Sequence, residues 1–126
     1  MLKAMLLAGC GGFVGTALRY LVGRLVPHIT HSHFPWSTLA VNLVGCFLIG
    51  LLFGAAERGN LLSANMNVVL ITGFCGGFTT FSTFADDMFL MAKGNHWLPL
   101  VAYVAVSLVV GFVLVWAGRS IVTTNV

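Results

Sequence analysis

The chain has 126 residues, 59% of them hydrophobic and only 7% charged, with a formal net charge of +3 and a mean hydropathy of +1.01. Soluble domains carry about 25% charged residues, so a chain this poor in charge cannot coat a water-facing surface, and a bilayer is the solvent that fits it. Its six Lys and Arg are scattered with no basic run, which excludes a nucleic-acid partner.

Crossing a hydrocarbon core takes about 20 apolar residues in a helix, and four segments meet that need. The first covers residues 4–25 and is uncharged up to Arg19. Within it, Leu7-Ala8-Gly9-Cys10 after Lys3 has the form of a lipoprotein cleavage box. The apolar run before the box is only residues 4–7, against the roughly 7–15 of a signal-peptide core, and apolar character continues past Cys10. A membrane span is the better reading. The loop that follows carries His28, His31 and His33, read as solvated bystanders rather than as a metal site.

The second segment, residues 34–56, has no charge and places Thr38 and Asn42 four apart on one helix face. Asn42 reads either as glue between helices or as an amide donor toward an anion. Glu57-Arg58-Gly59-Asn60 leads into the third segment, uncharged over 61–85 and carried to 92 with a break expected near 75–80. Its middle reads GFCGGFTTFSTF over residues 73–84. Adjacent glycines weaken a helix by about 1 kcal/mol each relative to alanine, and Thr79, Thr80, Ser82 and Thr83 follow directly.

Two readings stand for this stretch. One is a broken helix whose freed backbone groups hold ions; the other is a plain helix whose hydroxyls bond back to the preceding turn. Phe81 and Phe84 share a face and read either as packing residues or as ring edges, which are electropositive, turned toward an anion. The fourth segment, residues 97–118, sets Tyr103 and Ser107 four apart, while Gly111, next on that face, offers no donor.

Cys10, Cys46 and Cys75 are dispersed without a CxxC pair, which argues against a disulfide framework or zinc site and leaves them as small packing residues. Gly11 and Gly15, Gly50 and Gly54, and Gly73 and Gly77 form GxxxG pairs, the spacing that lets helices approach closely in lipid. Trp36, Trp97, Trp116 and Tyr20 lie near span ends, where amphipathic rings favour the headgroups. No charged residue occupies the central third of a span, which removes the signature of proton relays and suits passive conduction of a small anion. No nucleophile with its base and no catalytic carboxylate pair is present, so no enzyme activity is expected.

Four spans put both termini and the middle loop on one side. That side holds Lys3, Arg58 and Arg119; the other holds Arg19, Arg24 and Lys93. Orientation follows an excess of Lys and Arg in cytoplasmic loops, and here the count is equal. The expectation is insertion both ways up and pairing of opposite copies as an antiparallel homodimer. The alternative is one orientation biased by a feature such as Asp86-Asp87.

With these residues in view, the chain closely resembles the Fluc family of fluoride channels, also called CrcB. The residues that carry the likeness are GFVGTALRY at 12–20, TLAVNLVG at 38–45 and the stretch 73–84. The resemblance implies a multi-pass protein of the bacterial plasma (inner) membrane with four helices, the third broken, forming dual-topology homodimers with two pores. It implies passive export of fluoride that enters as neutral HF and ionises in the cytoplasm. It further implies a structural sodium ion held by the backbone carbonyls of Gly76 and Thr79 from both copies. Phe81 and Phe84 match the phenylalanines of the fluoride pathway, Asn42 the pore asparagine and Arg19 the vestibule arginine. Thr38, Ser82, Thr83, Tyr103 and Ser107 match parts of the polar lining. Gly111 departs from the pattern, since relatives often carry a hydroxyl there.

The rival readings are a small four-span multidrug-type exporter, which wants a carboxylate in the first span that is absent here, and a non-conducting membrane adaptor. A compartment-sensitive reporter fused to the C terminus is expected to give signal on both sides of the membrane; signal on one side alone removes dual insertion.

Overall fold

A computed structural model describes residues 1–26, 34–59 and 61–124, so the histidines at 28, 31 and 33 lie outside the described residues. Among the described residues the fold is wholly helical. Helix α1 (Leu2–Leu25) and α2 (Trp36–Glu57) come first. The third crossing starts as α3 (Ala64–Asn67), continues as a π-helical stretch (Val68–Cys75) and a single turn, α4 (Gly76–Phe78), and resumes as α5 (Phe81–Lys93). Helix α6 (Trp97–Thr124) completes the bundle. Four stretches are long and apolar enough to cross a membrane, the third being Ala64–Lys93. The 24 residues of α1 span about 36 Å at 1.5 Å per residue, enough for a core of about 30 Å.

The punctuation explains the ends. Pro35 stands at the N-cap of α2 and Pro99 in the first turn of α6, positions where a missing N–H costs no helical hydrogen bond. Between α5 and α6 the chain reverses through Gly94 and Asn95. Asn95 adopts a φ of 60°, and His96 N–H donates to the Met91 carbonyl at 2.8 Å. Asparagine tolerates that left-handed conformation better than most side chains. On the terminal side, Arg119 pairs with Glu57 across the ends of α6 and α2 and lies 5.3 Å from the Phe53 ring centre.

The bundle is two helix pairs that share the third crossing. Helix α1 packs on the π-helical stretch and α4, α2 packs on α6, and α5 lies against α6 and α2. Glycine sets the first two contacts. A Cβ on Gly11 would strike the Val69 carbonyl and one on Gly15 the Phe74 carbonyl; from the other side, a Cβ on Gly73 would lie 2.5 Å from the Ala8 carbonyl. Gly50 meets the Val115 carbonyl of α6 in the same way. These contacts are backbone against backbone, as expected where lipid offers no hydrophobic gain for helix association. The side-chain core is smaller: Leu39, Phe84, Met91 and Tyr103 join α2, α5 and α6. Large apolar residues such as Phe13, Phe89, Phe112 and Leu98 point outward.

Replacing Gly11 by Ala is expected to cost about 1–3 kcal/mol through overpacking against fixed backbone. Gly9→Ala, where nothing lies within 4 Å, is expected to leave the thermal midpoint in detergent unchanged or slightly higher.

Candidate functional site

The chemistry gathers where α4 ends. Thr79 and Thr80 have extended backbones, with φ, ψ of −91°, 160° and −148°, 123°. Several of the groups freed around them find new partners. Thr79 donates both its N–H (3.0 Å) and its hydroxyl (2.8 Å) to the Cys75 carbonyl. The Thr80 hydroxyl accepts from the Thr83 N–H at 3.3 Å and so caps α5. Asn42 then treats Thr80 as a neighbouring strand would. Its Nδ2 donates to the Thr80 carbonyl at 3.0 Å, and its Oδ1 accepts the Thr80 N–H at 2.8 Å. Arg19 Nε donates to the Gly77 carbonyl at 2.9 Å, setting a positive charge at the negative end of the preceding helical run.

Two cavities meet at Thr80. One, of about 270 Å³, is lined by Arg19, Arg24, Ser37, Thr38, Thr80 and Thr83 among others. The second, of about 300 Å³, is bounded by Asn42, Cys46, Thr79, Thr80, Phe81, Phe84 and Ser107 with three further residues. The structure therefore assembles most of the residues singled out from sequence, in two groups. Phe81 is 77% exposed and Phe84 only 7%, with ring centres 6.0 Å apart, so the two rings border the second cavity from different depths. Ser82 is exposed and borders neither cavity.

Tyr103 also stands apart from both. It is fully buried and donates to Asp87 Oδ2 at 3.0 Å, while Thr38 hydrogen-bonds to the same phenol. Asp87, itself 6% exposed, reads from sequence only as half of an acidic pair able to bias orientation. Its signal was the interval of three from Phe84, which puts it on the inward face of α5. Thr80 and Arg24 were likewise passed over.

Gly76 and Thr79 pass a test of fit for the expected cation. Carbonyl oxygens are hard donors that suit a hard cation. Gly76 is exposed on one copy, and a Cβ there would meet nothing within 4 Å, so the backbone is open to approach from outside. One chain supplies two such carbonyls, too few to enclose an ion.

The four apolar helices define a small polytopic membrane protein. Residues 6–119 match the family described as CrcB-like protein, Camphor Resistance (CrcB). The chain is 42% identical over 118 residues to the fluoride-specific ion channel FluC of Azobacteroides pseudotrichonymphae genomovar. CFP2, covering 94% of each. It is 43% identical over 118 residues to the protein of that name from Chlorobaculum tepidum, covering 94% of this chain and 93% of the relative. For the Leptospira interrogans counterpart the identity is 39% over 116 residues, covering 92% and 91%. The chain belongs to the CrcB family.

Removing the Tyr103 hydroxyl leaves a buried carboxylate short of a donor, which costs about 1–3 kcal/mol. Tyr103→Phe is expected to lower the thermal midpoint in detergent, and Asn42→Ala, which strips two hydrogen bonds from Thr80, to lower it at least as far.

Proposed function

We propose that this protein conducts fluoride passively across the membrane, through two pores in an antiparallel homodimer. The observation that carries the reading is the meeting of two cavities at Thr80, where α5 begins inside the membrane. A helix N-terminus presents unpaired N–H groups and a partial positive charge, which favour an anion. Family membership and the printed names of the relatives supply the ion.

In this reading the anion enters beside Arg19 and Arg24, passes Thr38 and Thr83, and reaches the Phe81 and Phe84 edges. Hydroxyls and ring edges replace part of the hydration shell without holding the ion as a fixed charge would. Asn42 acts mainly by fixing Thr80, with its second amide proton left for the route. Tyr103 and Asp87 brace the route from behind, Ser107 donates within the second cavity, and Ser82 faces outward where a second copy or lipid lies.

The broken third crossing serves the dimer as well. Gly76 and Thr79 carbonyls from two inverted copies would together hold a sodium ion on the two-fold axis, which supplies a charge that binds the copies and no chemistry. Equal Lys and Arg counts on the two sides support inverted insertion.

The test is fluoride-electrode efflux from liposomes holding the purified chain. Wild type is expected to release fluoride, and Phe81→Ile or Phe84→Ile to slow release about tenfold or more with the dimer intact on size exclusion. Asn42→Asp is expected to slow it too, because a fixed negative charge repels an anion at low dielectric. Silent wild-type liposomes would leave the non-conducting adaptor standing.

A further inference from the structure

Helix α2 carries Thr38, Asn42 and Cys46 at intervals of four, on one face. The facing line on α6 is Tyr103, Ser107 and Gly111. The two lines are complementary at their last step. A Cβ on Gly111 would lie 3.3 Å from Cys46 Sγ, so the thiol of α2 occupies the room that a side chain on α6 would have used. Cys46 borders the cavity of about 300 Å³ together with Asn42, Phe81, Phe84 and Ser107. A second, independent observation lies beside it: Ser107 lines the same cavity, and its Oγ is buried and has no hydrogen-bond partner in the protein. A buried hydroxyl left without a partner is rare unless water or a ligand completes it.

We propose that the Cys46 thiol is a lining group of the anion route, a weak S–H donor supplied by α2 opposite Gly111 of α6, and the point at which small thiol reagents close the channel. The inference rests on the conduction reading above. The other two cysteines differ in setting. Cys75 is 1% exposed, and Cys10 is exposed on α1 beside Met5, Leu6 and Phe13.

The probe is methyl methanethiosulfonate, which is small and uncharged. Cys46 gives its proton to water and its thiolate attacks the thiosulfonate sulfur. A new S–S bond forms, the S–SO2 bond breaks, and methanesulfinate leaves with the electron pair. The added methylthio group projects into the cavity.

Efflux of each variant is compared with and without reagent, and peptide mass spectrometry reports which cysteine is labelled. Wild type is expected to carry the label on Cys46 and to lose flux about tenfold, with recovery on adding dithiothreitol; Cys46→Ser is expected to show no change between treated and untreated samples. Cys46→Ala is expected to conduct about fivefold more slowly than wild type, the scale of one lost donor. Adding Gly111→Ser to that variant, which returns a hydroxyl from the facing helix, is expected to restore flux, whereas adding Gly111→Ala is not. An unlabelled Cys46, a labelled Cys46 with undiminished flux, or equal block of Cys46→Ser would each overturn the proposal. Wild-type liposomes that release no fluoride sink the conduction reading instead; the labelling then still decides whether Cys46 faces an open cavity.

Discussion

Two hydrogen bonds between the Asn42 side chain and the backbone of Thr80 hold this fold in its working shape. Inside a bilayer a backbone group without a partner costs several kcal/mol, so an interruption in a crossing helix persists only where something replaces the lost helical bonds. Asn42 does this for Thr80, offering a donor and an acceptor at the spacing of a paired strand. The surrounding groups complete the repair: Cys75 accepts twice from Thr79, the Thr80 hydroxyl caps α5, and Arg19 covers the Gly77 carbonyl. The result is an extended pair of residues at a depth where regular helix is the rule.

The glycines make that repair possible by bringing the neighbours close. Helix α1 reaches the third crossing through Gly11 and Gly15, and so sets Arg19 one further turn along beside Gly77. Helix α2 reaches the same place through Gly45, where a Cβ would collide with the Thr79 methyl group. A β-carbon at either contact would push away the helix that delivers a hydrogen bond. Packing and polar satisfaction are therefore one constraint here.

Much of this was legible in the sequence. Charge depletion and apolar run length are enough to call four crossings, and each GxxxG pair expected at a helix contact lies at one. The density of glycine and hydroxyl residues over 73–84 marked the site. What escaped reading has physical causes. Asn42 does join two helices, but its partner is the backbone of Thr80, and composition cannot show that this backbone needs one. Asp87 reads from sequence only as part of an acidic pair able to bias orientation, whereas its position on α5 turns it inward. The π-helical stretch left no mark, since one additional residue per turn changes neither composition nor hydropathy.

The division of partners along the third crossing has a mechanical corollary. Its first limb packs chiefly on α1 and its second chiefly on α6, two blocks that both touch α2, with the extended residues Thr79 and Thr80 between them. Any rocking of one block on the other must be absorbed at Thr79 and Thr80. Doing so would break the bonds to Asn42 in a medium with no water to replace them. A joint so restrained has almost no slack.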